Sequence, residues 1–211
     1  MQLYYNPYGC SLAPAIIAAE AGIALDFVHV DIFGTPHTLA DGTNYLAANP
    51  RNYVPLLIRD DGTEISEVAT ILKTLADLNP AAGLAPAIGT EERLVLDQWL
   101  NFIATELHKS YSPWLFHPEV GEAAQDYAKA LVARRYALVE KQLEGRSWLL
   151  GDDFSVADAY LYVTVNWAAA AETPLDAFPL IRAWFERMKA RPRVRDAVRQ
   201  HSRGPAVVAA A

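Results

Sequence analysis

Residues 54–80 read VPLLIRDDGTEISEVATILKTLADLNP. They predict two strands and a helix in immediate succession. Val54-Pro55-Leu56-Leu57-Ile58 is the first strand, opened by a proline, which is tolerated at a strand's first position because it has no N–H to give. Thr63-Glu64-Ile65 is the second, and Asp61-Gly62 between them is a strong hairpin signal. Ser66 to Leu78 follows as a helix, with Val68, Ile71, Leu72 and Leu75 at helical spacing and Asn79-Pro80 as its stop.

Upstream, Gln2 to Tyr5 is a short β-prone run ended by the turn Asn6-Pro7-Tyr8-Gly9. Ser11 is placed to cap a helix from Leu12 to about Ala21. Pro14 sits in its first turn, where N–H groups lack partners anyway, and Gly22 stops it. Leu25 to Val30 alternates as a strand. The stretch from Gly34 to Thr43 reads as loop, with one or two helical turns after it to Asn49. The order is βαβ and then ββα, which is thioredoxin-like.

Residues 79–89, NPAAGLAPAIG, carry no charge and read as a connection. Beyond them strand signals vanish. Thr90–Ser112, Glu122–Leu143, Val156–Ala171, Leu180–Ala190 and Val194–His201 all show helical periodicity. The expected architecture is a thioredoxin-like domain over 1–80, a linker over 81–89, an all-α helical bundle over 90–203 and a tail over 204–211.

With 211 residues, the chain is long enough to bury a core without disulfides. Its 52% hydrophobic and 20% charged composition is that of a globular protein. The net charge of −7 argues against a nucleic-acid or anionic-lipid partner. That charge is concentrated: residues 1–88 hold nine acids against three bases, and residues 89–211 sixteen against fifteen. No secretory leader or membrane-length apolar run stands out, so a cytoplasmic protein is expected.

Cys10 is the one cysteine. Just ahead of a helix, it is placed where N–H groups and the helix dipole would stabilise a thiolate. Ala13 stands where a C-x-x-C motif would have its second thiol, so two-thiol cycling within one chain is excluded. For Val54-Pro55, sequence alone favours a trans bond. Ser66 is placed as an N-cap beside Glu67, at a helix start whose N–H groups could take a carboxylate. Over residues 90–112, Leu96, Trp99, Leu100, Ile103 and Leu107 form a core face. Asp97, Asn101, Thr105, His108 and Ser112 fall on one polar face, where His108 could steady a thiolate or move a proton. Ser155-Val156-Ala157-Asp158 is a capping-box pattern assigned to folding, with Asp158 fastening a buried helix start. Arg191-Pro192 reads as a helix end and no more. His29, His37, His117 and His201 carry little weight as ligands, and no metal-binding spacing appears.

Taken together, Tyr5 with Gly9-Cys10-Ser11-Leu12-Ala13-Pro14, Asn49-Pro50-Arg51 with Tyr53-Val54-Pro55, Glu67-Val68-Ala69-Thr70-Ile71-Leu72, Thr105-Glu106-Leu107-His108-Lys109 and Gly151-Asp152-Asp153-Phe154-Ser155-Val156-Ala157-Asp158 resemble a glutathione transferase of the bacterial beta class. The resemblance covers nearly the whole chain. It implies glutathione as co-substrate, no metal, a homodimer, and conjugation of the glutathione thiolate to small hydrophobic electrophiles. Cys10, His108, Tyr5 and Ser11 are its catalytic candidates. Cys10, Val54, Pro55, Glu67, Val68, Asn101, Thr105, Glu106 and His108 are its glutathione-binding candidates. It also implies that the Val54-Pro55 bond is cis and that Cys10 can hold glutathione as a mixed disulfide. The alternatives are a thiol transferase or peroxide reductase working through that disulfide, and a non-catalytic carrier of apolar ligands. Two departures from the family pattern predict weaker glutathione binding. Val68 brings no side-chain hydrogen bond, and Thr35 and His37 stand where relatives often have a lysine.

Overall fold

The computed structural model describes residues 1–7 and 9–202; the expected tail over 204–211 lies outside them. Strand β1 (Gln2–Tyr5) leads through a tight turn into helix α1 (Leu12–Ala21), then β2 (Asp26–Asp31), β3 (Thr38–Leu39), β4 (Leu56–Ile58), β5 (Glu64–Ser66) and α2 (Val68–Leu78). The sheet order is β3-β2-β1-β4-β5. β1 runs parallel to β2 and antiparallel to β4, with Leu3 opposite Phe27 on one side and Leu57 on the other. The expected βαβ-ββα order is present. The predicted loop after β2 also holds a strand, β3, which pairs with Val30 and Asp31. Two residues are too short to show a period of two, so the sequence pattern could not reveal it.

Leu3 and Leu57 share one face of the sheet and join Ile16, Ile17, Ile71, Leu72 and Leu75 of α1 and α2 in a continuous core. Tyr4 faces the other way, against the ring of the buried Tyr45 at 5.7 Å. Gly22 ends α1 at φ 68, a left-handed conformation that costs glycine little, and its N–H closes back on the last turn.

The second half is helical: α3 (Glu91–Phe102), a π-helical turn (Ile103–His108), α4 (Lys109–Tyr111), α5 (Glu122–Gln142), α6 (Val156–Asn166), α7 (Pro179–Ala190) and α8 (Pro192–His201). Thr90 caps α3 through its hydroxyl, and Glu91 and Glu92 in the first turn complement the dipole. Helix α6 is buried from Val156 to Val165, as expected of a helix apolar all round. No helix among the described residues is long and apolar enough to cross a membrane.

The 79–89 connection is anchored at its middle. Leu84 is buried and its carbonyl accepts the Val156 N–H at 2.9 Å. Arg93 forms two 2.8 Å bonds to Asp77 and a third, of 3.1 Å, to the Pro86 carbonyl. Arg191 also does more than end a helix. Its guanidinium pairs at both ends with Glu20 of α1, at 2.7 and 2.9 Å, and lies 4.2 Å from the Phe154 ring centroid. Charge-assisted bonds of this kind contribute roughly 1–3 kcal/mol each where partly dry.

Candidate active site

The turn between β1 and α1 is closed by side chains. Gly9 N–H donates to the Asn6 carbonyl at 2.9 Å, and the Asn6 amide reaches the Val30 carbonyl at 3.1 Å. Ser11 has no exposed surface. Its hydroxyl lies 3.1 Å from the Asn6 carbonyl, accepts the Asn6 N–H at 3.3 Å and stands 2.9 Å from His201 Nε2. The expected cap is therefore absent: Ser11 is itself helical at φ −60 and its side chain ties the turn to α8. As a catalytic candidate it is likewise committed to the protein interior. Tyr5 is buried, its ring packed on Phe27, His29 and His201, and burial raises its pKa.

This turn holds Cys10 at 8% exposure, with its thiol donating to the Val54 carbonyl at 3.7 Å. Burial pushes the thiol up to about 12; its own backbone amide and the Lys109 charge pull the other way, and Glu67 adds to the rise. The expected lowering by the helix start is corrected here, because loss of water outweighs the helix end. Cys10 at neutral pH is a thiol.

Val54–Pro55 is cis. The segment before it is pinned: the Tyr53 carbonyl accepts from Asn49 Nδ2 at 2.8 Å and Tyr45 Oη at 3.0 Å, and the Asn52 carbonyl lies 3.0 Å from His37 Nδ1. Ser66 is the last residue of β5, bonded through its hydroxyl to Arg51, and is not a helix cap. Helix α2 instead begins at Val68, preceded by Glu67 at φ 69. A positive φ is uncommon outside glycine and costs on the order of 1 kcal/mol or more. Val68 is buried, while Glu67 is exposed.

From the helical half, His108 sits at the end of the π turn. Its Nδ1 is 2.8 Å from Tyr160 Oη, and its ring packs on Trp167 at 5.1 Å. Burial, aided by the Lys109 charge, drives its pKa down to about 4. The expected near-neutral titration is thus corrected: His108 is an uncharged imidazole at pH 7, able to hydrogen-bond but not to act as a cation. Tyr160 is held un-ionised by burial and by the fields of Cys10 and Glu67.

The predicted core face is buried at Leu96, Leu100, Ile103 and Leu107, and Tyr111 continues it. The polar stripe is exposed at Asn101 and Thr105 and half-buried at Asp97, His108 and Ser112. Asp97 pairs with Lys73 at 3.0 Å, and Glu106 pairs with Arg135 of α5. Asn101 and Thr105 are exposed, and the Thr105 hydroxyl donates to the Asn101 carbonyl at 2.9 Å. Three residues near the site, Lys109, Tyr160 and His201, have no site role in the sequence pattern. Lys109 lay inside a quoted motif, and Tyr160 sits where apolar neighbours hide any facing pattern. His201 is 190 residues away from Ser11.

Residues 102–192 match the family model described as glutathione S-transferase, C-terminal domain. Over 198 residues the chain is 37% identical to glutathione S-transferase GstA of Escherichia coli O157:H7, covering 94% of this chain and 97% of that protein. A sphingomonad glutathione S-transferase solved with glutathione aligns at TM-score 0.91 and 37% identity, over 97% of this chain and all of that one. A beta-class enzyme from Sphingomonas chungbukensis aligns at TM-score 0.90 and 36% identity, over 95% and 98%. On this sequence identity across nearly its full length, and with the fold to match, the chain belongs to the glutathione S-transferase family of enzymes.

Proposed function

We propose that this protein binds glutathione between the segment ahead of β4 at Val54 and the start of α2 at Glu67 and Val68, and transfers its thiolate to small hydrophobic electrophiles, a detoxifying conjugation of the bacterial beta class. One observation carries the reading: the Cys10 thiol and the Val54 carbonyl meet at 3.7 Å, within the fields of Glu67 and Lys109. A thiol that keeps its proton can donate a hydrogen bond to another thiolate instead of competing with it. This supports conjugation over the thiol-transferase alternative, which needs Cys10 as the nucleophile. Lys109 supplies positive charge nearby, and the partly exposed rings of Trp167 and Phe116 suit an apolar acceptor. Holding two reactants together in this way is the main part of the work. The proposed protein is a cytoplasmic homodimer, and exposed Leu94, Val95 and Leu138 on α3 and α5 offer an apolar face to a second copy.

Turnover of a chromogenic electrophile with and without glutathione tests the reading. A rate that depends on glutathione is expected, and none at high enzyme concentration would end the proposal. Cys10→Ala should keep conjugation within about tenfold, the loss of one hydrogen bond, while abolishing any mixed disulfide seen by intact mass. A loss of conjugation beyond a thousandfold would instead make Cys10 the nucleophile.

His37 is the side chain offered for the glycyl carboxylate in place of a lysine. His37→Lys is therefore expected to lower the KM for glutathione several-fold at pH 8 with kcat unchanged. An unchanged KM would remove His37 from that end of the ligand.

A further inference from the structure

Helix α8 lies along α1, presenting Val194, Ala197, Val198 and His201 at a spacing that keeps them on one inward stripe. His201 ends that stripe at 1% exposure. Its Nε2 is 2.9 Å from the Ser11 hydroxyl, its ring lies 5.0 Å from that of Tyr5, and it also bonds the Pro7 backbone. A buried imidazole filling a gap would need only apolar walls. This one is joined to both ends of the short turn that carries Cys10.

A neutral imidazole has one N–H and one lone pair. The surroundings supply a partner for each: the Pro7 carbonyl accepts one, and the Ser11 hydroxyl, which accepts the Asn6 N–H, stands within hydrogen-bond distance of both Nε2 and the Asn6 carbonyl. Gly9 N–H still satisfies the Asn6 carbonyl. Asn6 and Ser11 are thus tied to each other through the Ser11 hydroxyl, and Ser11 to helix α8 through His201. Cys10 is the residue before Ser11, and its burial against Val54 depends on where that turn lies.

We propose that His201 is a positioning residue for Cys10, acting through the Ser11 hydroxyl to hold the thiol buried against the Val54 carbonyl. The last helix of the chain is thereby part of the machinery that sets the reactivity of its tenth residue. The proposal stands on this network and does not require that glutathione be the ligand.

The test reads the thiol directly, since Cys10 is the chain's single cysteine. Iodoacetamide alkylation is followed by intact mass from pH 7 to 10, at 15 °C, on folded protein. His201→Phe fills the space without the hydrogen bond, and His201→Gln restores a donor and an acceptor. The Phe variant is expected to alkylate at least tenfold faster at pH 8, with its pH profile moved to lower pH. The Gln variant should stay within about threefold of the parent. Ser11→Ala removes the same bond from the other side and should reproduce the Phe effect, and Ser11→Ala with His201→Phe should add little to either alone. If the Phe variant fails to fold, Ser11→Ala carries the test. Folded variants that alkylate at the parental rate and pH, or single effects that simply multiply, would overturn the proposal.

Discussion

Asp158→Ala is expected to cost about 4 kcal/mol of stability, and so to lower Tm by roughly 8–16 °C for a chain of this size. Asp158 has no exposed surface. Its Oδ1 accepts the Leu149 N–H and the Trp184 Nε1–H, both at 2.9 Å. Its Oδ2 accepts the Ser155 N–H at 3.0 Å and the Ser155 hydroxyl at 2.9 Å. Alanine leaves those four donors dry and unpaired, and each stranded group costs about 1–3 kcal/mol before relaxation or entering water reduces the sum. It also frees the start of α6, the most buried helix, and the indole of α7 that packs on it. Asp158→Asn keeps one oxygen and turns an N–H toward donors, so its loss should fall between alanine and the parent. Thermal unfolding followed by tryptophan fluorescence measures both. A change under about 2 °C in the alanine variant would mean that the network is not what fastens this helix.

That capping box was legible in the sequence because it is local. Ser155 and Asp158 are three residues apart, and their pairing follows from helix geometry alone. The same holds for the Asp61-Gly62 turn between β4 and β5, and for the stop at Gly22. Whether a side chain faces a partner on a distant element is a different question. Ser11 had the type and place of a cap, yet its hydroxyl is drawn to Asn6 and His201. Ser66 had the same signal and became the last residue of a strand, because pairing with Leu56 continues the sheet one residue further than propensity marks.

The candidate site was legible as a set of motifs, less so as chemistry. Cys10 and His108 were found, but their ionisation was expected from neighbours in sequence, the helix start for one and the polar stripe for the other. Both are governed by burial, a property of the assembled halves. The spacing over 90–112 was legible as burial: Leu96, Leu100, Ile103 and Leu107 lie in the core as their period predicts. Arg191 showed only its proline neighbour, and the Glu20 it pairs with lies 171 residues earlier.

Lowering the pH from 7 to 4 should destabilise the protein through His108 and His201. Each imidazole titrates ordinarily near 6.5 and is driven to about 4 in the folded chain, mainly by burial. Between those values the unfolded chain binds protons that the native one refuses, so stability falls as pH falls. The contribution is whole above pH 6.5, declines through the interval and is fully lost near pH 4. The gap corresponds to about 3 kcal/mol for each residue as an upper figure. Set against a typical 5–15 kcal/mol for a whole domain, the two together place acid unfolding between pH 6 and 4. Asp158 works in the opposite sense, since burial raises its pKa and the native state gains a proton as pH falls. Its effect lies between the ordinary 3.8 and the raised folded value, so it works against the histidines within their own window and makes the net slope shallower. Urea midpoints from pH 7 to 4 measure the slope. His201→Gln should flatten it by about half, and the same substitution at His108 should remove a similar share. Because His201 also holds Ser11, Cys10 alkylation in the parent, divided at each pH by the rate of a free model thiol to remove the falling thiolate fraction, should rise as His201 takes its proton, before global unfolding is complete; a normalised rate that follows the unfolded fraction alone would separate the histidine's acid sensitivity from its hold on the thiol.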